Sequence, residues 1–461
     1  MASTGSAVVV GGSMGGLLAA RALSETYARV VVIDRDRLPV QPANRRGVPQ
    51  GRQLHVLLAR GREAFDELFP GLTEELHSRS APLVDLHGQV NWYNDGYLMR
   101  RKPSSLHAVG IGRPLLEHAV RARVAALPGV EFLATTEVLG ITATPDHSRI
   151  TGVRVLPHGA GEDEAYTIDA DLVVDAGGRA SRTPVWLAGL GYPPPAEDQV
   201  RVDVTYVTRT YRREPHHIDG LLGVLTNAVP GKPRSAIIAV REDNQFAVAF
   251  AGMLGEEPPT DDEGLAAYAG QLVAPEFAEV LRAAAPTGEP VKMRFPASIR
   301  RRYEHLRRFP DGYLVVADAV CSFNPIYGQG MTVASLEALL LRQLLTGGTD
   351  DLARRFFRGA ARLIDAPWSI AVGTDLRFPE VVGPRTAKVR FVNAYVHRLH
   401  RAATTDPVLG AAFLRVLNLI DPPTSLLAPG IVLRVLRGAL RSQPSTRHGR
   451  ITGGSLGQIS P

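Results

Sequence analysis

Three aspartates in this 461-residue chain stand where an apolar run ends and glycines begin. Asp34 closes ARVVVID, Asp175 closes ADLVVD ahead of AGGRAS, and Asp318 closes YLVVAD ahead of AVCSFNPIYGQGMT. A carboxylate at the tip of a buried strand, beside glycines that let a ligand approach the backbone, is suited to accept hydrogen bonds from sugar hydroxyls. It would serve a metal only if other acids or histidines shared its spacing, and the 13 histidines show no ligand spacing. No metal is expected. The lone Cys321 excludes a disulfide framework and a Cys-based zinc site. A further feature is Gly11-Gly12-Ser13-Met14-Gly15-Gly16, directly after SAVVV. Gly11 permits a tight turn, Gly16 permits close packing of helix on strand, and the helix N-terminus offers N–H groups to a pyrophosphate. Ser13 stands where a glycine usually lets the backbone approach phosphate; its hydroxyl can itself donate.

These residues need elements to hold them. SAVVV reads as a strand, LLAARALSETY as a helix and ARVVVID as a second strand, so Asp34 ends a βαβ unit. An acid there can bind both hydroxyls of an adenosine ribose and would repel a 2′-phosphate, which points to FAD or NAD. Three acid-and-glycine strand ends that converge on one elongated ligand are more than an NAD dehydrogenase requires. No second glycine fingerprint of comparable quality follows residue 16; GGSLGQ at 453–458 lacks a preceding strand.

With its three motifs in this order, the chain resembles the single-component FAD-dependent monooxygenases of the p-hydroxybenzoate hydroxylase type over roughly residues 5–345. The resemblance implies FAD as cofactor, reduced by NADPH or NADH bound only transiently, and oxygen activation as a flavin C4a-hydroperoxide. It implies that Asp318 bonds the ribityl chain, that Pro325, Gly328 and Gly330 lie against the isoalloxazine ring, and that the helix beginning near Gly330 and Met331 aims its N–H groups at the ring's pyrimidine end. The family usually has Gly-Asp where this chain has Ala317-Asp318. Arg113 would face the phosphates or ribityl chain, and the backbone of Val138 would meet adenine. NRRGVPQGRQLH, with Arg45, Arg46 and Gln53, resembles the loop that passes over the cofactor. The coenzyme-facing set is completed by Arg35, Arg46, Asp175 and Gly178; no catalytic residue is assigned. RRGVPQGRQLH, the Asp318 motif and PWSIAVGTDLRFP look most like the bacterial polyene epoxidase and squalene epoxidase-like branch. That implies epoxidation or hydroxylation of a lipophilic polyketide or terpenoid-like substrate by O2, in specialised metabolism. Alternatives are a flavin-dependent reductase of isoprenoid double bonds and a non-catalytic flavin-binding protein. A halogenase would carry a WxWxIP segment, whereas Trp92, Trp186 and Trp368 stand alone.

The expected fold is α/β: a Rossmann-like FAD-binding domain (1–85, 105–194 and 301–349) with an inserted, mainly antiparallel substrate domain (86–104 and 195–300). A C-terminal helical region (350–445) and a flexible tail (446–461) follow. RVDVTYVTRTY, RSAIIAV and QFAVAFAGML supply the antiparallel strands, with acids and histidines scarce in their cores. The helices begin with DLARRFFRGAARLI and end with the basic amphipathic GIVLRVLRGALR, for which a weak peripheral membrane contact through 430–441 is the runner-up role. The formal charge of +6 is scattered, without a block of five like charges, so nucleic-acid binding is not expected. The N-terminal apolar run lacks a basic leader, and no apolar run is long enough to span a bilayer, so a cytoplasmic location is expected.

Overall fold

The computed structural model describes residues 5–441; the expectations placed on 1–4, on 442–445 and on 446–461 lie outside the described residues. Five parallel strands form the first sheet, in the order Tyr313–Val315, Leu172–Asp175, Ser6–Val10, Arg29–Ile33, Val130–Leu133. Helices cover both faces of such a sheet, which is why these strands read as unbroken Val, Ile and Leu runs. All five run the same way, so their carboxyl ends share one edge, where ligands bind in open α/β sheets. Asp34, Asp175 and Asp318 therefore arrive at one rim. Helix Met14–Leu23 packs against helix Gly330–Leu345, which also packs on Ala59–Leu68.

An eight-stranded sheet lies beside this unit, in the order Cys321–Ser322, Val291–Arg301, Glu197–Arg212, Gln245–Gly252, Arg234–Arg241, Gly223–Thr226, Val90–Asn94, Tyr97–Leu98. It is antiparallel except where Gly223–Thr226 pairs with Val90–Asn94. The last two strands come from segment 86–104 and are joined by Asp95 and Gly96, both at positive φ (54° and 81°), the two-residue turn that matches strand twist. Helix Asp262–Ala269 begins at a side-chain cap: Asp261 accepts a hydrogen bond from Gly264 N.

The chain ends in helices Leu352–Asp375, Ala387–Ala402, Pro407–Leu417 and Pro429–Arg441. The first runs well beyond DLARRFFRGAARLI, straight through Pro367. An interior proline costs about 3 kcal/mol or more. Phe356, Phe357, Ala360 and Ile364 before it, and Trp368, Ala371 and Val372 after it, form one buried stripe whose packing outweighs that cost. Two apolar cores result. One surrounds the parallel sheet and this long helix; the other joins the eight-stranded sheet to Leu399, Ala402, Leu409, Leu414 and Val435 of the later helices. Helix Pro429–Arg441 buries Val435 but leaves Leu433 and Leu436 about half exposed. Among the described residues no helix is long and apolar enough to cross a membrane.

Candidate functional site

The glycine turn after the first strand is constrained on both sides. Gly11 has φ 100°, and a Cβ on Gly16 would fall 1.7 Å from the Gly11 carbonyl oxygen, so the helix can start here only without a side chain. A Cβ on Gly15 would lie 2.8 Å from the Cβ of Ala317, which brings the turn against the residue preceding Asp318. Ala317 itself sits at φ 57°, the left-handed region in which glycine is at ease, which fits the glycine that the family resemblance implies there. Its N–H donates to Glu337 Oε2 (2.6 Å). Glu337 is buried with Oε1 unpartnered, and burial pushes its carboxyl up to about 7.

Asp318 is different from its neighbours. Its side chain is open to a cavity yet enclosed by protein at longer range, as a group on the floor of a deep cleft would be. Burial raises its pKa against the opposing pull of Arg113 and Arg179, and it accepts no side-chain hydrogen bond from a described residue. Asp175, by contrast, has its oxygens engaged by Gly177 N, Ser181 Oγ and Thr183 Oγ1. It shapes the turn that presents Gly178, whose φ is 71° and whose Cβ position faces open space.

Beside the glycine turn lies a buried ion cluster. Asp34 accepts from Gly12 N (2.8 Å), Asp36 N (2.8 Å) and Arg45 Nη1 (3.0 and 3.1 Å). Arg45 also pairs with Asp36 and, through Nε, with Glu117 Oε1 (2.7 Å). Glu117 is shared with Arg113 (3.0 Å) and Arg121 (3.7 Å), and burial, outweighed by Arg113 and Arg45, leaves its carboxyl below the usual range. The Ser13 hydroxyl, expected to be free for phosphate, donates to Glu117 Oε2 (3.3 Å) and accepts from Arg113 Nη2 (2.7 Å). A ribose that reaches Asp34 must displace Arg45 from it.

One cavity of about 1390 Å³ joins these parts. Its wall includes Gly11, Ser13, Met14, Gly15, Asp34, Arg35, Arg113, Val138, Asp175, Gly178, Asp318, Pro325, Gly328, Gly330 and Met331. Gly12 and Gly16 lie behind the wall, where the backbone must pack closely. Arg46 is exposed and off the wall; its neighbour Arg45 is the arginine that turns inward. Gly330 opens helix Gly330–Leu345 with empty space where a Cβ would be, and that helix start borders the cavity. The loop before it is clamped: Tyr206 OH donates to Asn324 Oδ1, while Asn324 Nδ2 (3.2 Å) and Tyr327 OH (2.9 Å) donate to Asp375 Oδ1. Burial pushes the Asp375 carboxyl up to about 7. His55 also borders the cavity; burial, then Arg113, lowers its pKa to about 4 and keeps it neutral.

The far end of the cavity is set between the large sheet and the C-terminal helices. Trp92, Val224, Ile238, Val392, Phe413 and Leu426 give it a largely apolar wall, in which Asn94, Asn227, Ser235, Arg377 and His400 are among the polar residues. Asn94 and His400 were not singled out from the sequence, nor were Glu117, Glu337 and Asp375. Glu117 alone carried a local signal, four residues after Arg113 on one helix face.

The cleft fits an adenine dinucleotide. It has an acid without a partner on its floor, glycines where side chains would fill it, and two helix starts on its rim. The FAD binding domain family matches residues 4–347. The chain belongs to this family. FAD is its cofactor, and the resemblance to flavin monooxygenases of the p-hydroxybenzoate hydroxylase type holds at that level. Among its relatives, Protein Rv3254 of Mycobacterium tuberculosis (strain ATCC 25618 / H37Rv) is 35% identical over 456 residues, 94% of each chain. Kynurenine 3-monooxygenase of Salinispora arenicola (strain CNS-205) is 27% identical over 370 residues, 77% of this chain and 75% of that one. The crystal structure of PqsL of P. aeruginosa in complex with 2-aminobenzoylacetate has a TM-score of 0.62 at 20% identity, covering 81% of this chain and 97% of that one. A flavoprotein/dehydrogenase from Cytophaga hutchinsonii has a TM-score of 0.67 at 15% identity, covering 95% and 98%. The two structural likenesses speak for the fold.

Proposed function

We propose that this family member is an NAD(P)H- and O2-dependent monooxygenase that epoxidises or hydroxylates a lipophilic polyketide or terpenoid-like molecule in specialised metabolism. In this reading segments 86–104, 195–300 and 350–445 form the substrate side. The observation that carries it is the continuity of the cavity, from the glycine turn past Asp318 and the Pro325–Gly330 loop into a chamber walled by Trp92, Val224, Ile238 and Phe413. Kynurenine 3-monooxygenase among the relatives supports the reaction class.

Bound FAD supplies electron transfer from a nicotinamide nucleotide and activation of oxygen. The chain's part is to hold, orient and exclude. Asp34 takes the adenosine ribose and Val138 the adenine edge. Arg113 and the start of helix Met14–Leu23 face the pyrophosphate, with Ser13 fixed between Arg113 and Glu117. Asp318 takes the ribityl hydroxyls. The start of helix Gly330–Leu345 stabilises negative charge at the pyrimidine end by roughly 0.3–2 kcal/mol. The Tyr206–Asn324–Asp375–Tyr327 clamp keeps that loop in place, and the apolar chamber keeps water from the reacting face. A weak lipid contact of Pro429–Arg441 belongs to the same reading, because Leu433 and Leu436 are exposed beside Arg434 and Arg437.

The test is oxygen bookkeeping on purified holoprotein. Lipophilic alkenes and ring substrates should accelerate NADPH oxidation, and the product should carry one atom from labelled O2. NADPH oxidation that reduces the substrate without consuming O2 would establish the double-bond reductase instead. No stimulation by any ligand would leave a flavin-binding protein.

A further inference from the structure

The segment Gly51–Leu58 joins two parts of the cleft. A Cβ on Gly51 would lie 3.8 Å from Arg113 Cγ, and a Cβ on Gly328 would lie 3.6 Å from Leu58 Cδ1, so the segment starts against Arg113 and ends against the Pro325–Gly330 loop. Its strand Val56–Leu57 pairs with His107–Gly110, Val56 opposite Gly110, and the same register sets His55 beside Ile111, two residues before Arg113. The large sheet holds the segment in place: Gln53 Nε2 donates to the Val291 carbonyl (3.2 Å), and Gln53 Oε1 accepts from Thr208 Oγ1 (2.7 Å).

That anchoring decides which nitrogen of His55 carries the proton. Nδ1 lies 3.0 Å from the Gln53 carbonyl oxygen, which can only accept, so Nδ1 donates and in the neutral ring Nε2 carries the lone pair. Burial, then Arg113, lowers the pKa of His55 to about 4, and the ring is neutral at ordinary pH. Nε2 makes no hydrogen bond with a described residue, and it is not sealed in. The side chain is partly buried, borders the cavity and is enclosed by protein at longer range, the combination also found at Asp318. His400 is the contrast. It too borders the cavity, and its Nδ1 faces Asp95 Oδ2 (2.8 Å), but its Nε2 is buried beyond a ligand's reach.

A reachable lone pair beside an arginine selects its ligand. A phosphate oxygen is itself an acceptor and would meet Nε2 lone pair to lone pair, so phosphate falls to Arg113 and the helix starts. A hydroxyl satisfies Nε2 by donating to it. In FAD the stretch that links the phosphates to the ring is a polyol, and Arg113, whose charge acts on both His55 and Asp318, puts these two acceptors near one place. We propose that His55 is a coenzyme-binding residue whose Nε2 accepts a hydrogen bond from a ribityl hydroxyl of FAD, and that it shares the polyol with Asp318. This rests on the coenzyme reading of the cleft and adds to it a residue that comes from a loop segment rather than a strand end. An uncharged acceptor here takes the hydroxyl without cancelling the positive charge that the phosphates need, as a second carboxylate beside Arg113 would.

The test uses the full chain stripped of flavin and titrated with FAD and with FAD analogues that lack the 2′-, 3′- or 4′-hydroxyl of the ribityl chain, read by quenching of flavin fluorescence. The parent should bind FAD about tenfold more tightly than the analogue without the hydroxyl that His55 takes. His55→Phe should lose about tenfold in FAD affinity and bind that analogue as the parent does, so that its discrimination at this hydroxyl vanishes. Discrimination at a hydroxyl held by Asp318 should stay, which separates the loss of one bond from a damaged fold. His55→Gln, whose amide oxygen can accept, should remain within about threefold of the parent. A parent indifferent to all three hydroxyls, a His55→Phe variant that binds FAD as tightly as the parent, or one that loses affinity for FAD and every analogue by a common factor would each overturn the proposal. A parent chain that takes up no FAD at all would sink the coenzyme reading of the cleft, and the proposal with it.

Discussion

Asp318 follows its strand by three residues and borders the cavity, and that is where its effect on affinity should be largest. A hydrogen bond to a charged group is worth about 1.5–3 kcal/mol, so Asp318→Ala should weaken FAD retention roughly ten- to a hundredfold, measured by equilibrium dialysis and flavin absorbance. Unchanged retention would remove the ribityl assignment. Glu337, behind Ala317, affects stability instead. Its folded pKa is raised from 4.5 to about 7 by burial, so the folded state keeps a proton that the unfolded chain releases between those values. The Glu337 contribution to stability is therefore greatest below pH 4.5, falls as pH rises toward 7 and levels off above it, a loss of at most about 3 kcal/mol. Glu337→Gln should flatten the decline of Tm between pH 5 and 8, with a residual slope from Asp375, raised to about 7 for the same reason. Parallel Tm curves for parent and variant would show that Glu337 carries none of it. Single residues at strand ends were legible in the sequence because their signal is local, an apolar run followed by an acid and glycines. Arg45 and Arg46 are adjacent and chemically identical, and only the backbone turn after the strand determines which one reaches Asp34.

At the scale of elements, the Pro325–Gly330 loop stays in place because side chains from a strand and from the long C-terminal helix hold it. Tyr327→Phe removes one of two donors to Asp375 Oδ1. It should cost about 1–3 kcal/mol of stability and broaden the flavin absorbance band, whereas a variant with unchanged Tm and spectrum would mean that the clamp is idle. The α/β class and the inserted antiparallel sheet were readable from hydrophobic period and turn residues. The passage of helix Leu352–Asp375 through Pro367 was not, since a proline reads as a stop until the apolar stripe on both sides of it finds its partner surface. Asp95 and His400 were equally hidden. They lie 305 positions apart, and a hairpin tip and a helix interior carry no shared pattern.

For the whole molecule, the apolar surface left uncovered on the last described helix predicts how the protein partitions. Holoprotein should sediment weakly with anionic vesicles, and Leu433→Asp with Leu436→Asp should return it to the supernatant without changing flavin content. Equal sedimentation of both would exclude lipid contact through that helix. The chain also divides its labour along its length: the coenzyme-facing strand ends and glycines have all been made by Leu345, whereas Asp375, which clamps their loop, and His400, Phe413 and Leu426 of the chamber come later. On the ribosome these parts emerge in that order, and at roughly 5–20 residues per second the gap lasts on the order of several seconds. A nascent polypeptide thus exposes every coenzyme-facing strand end before the helices that wall the far chamber have been made.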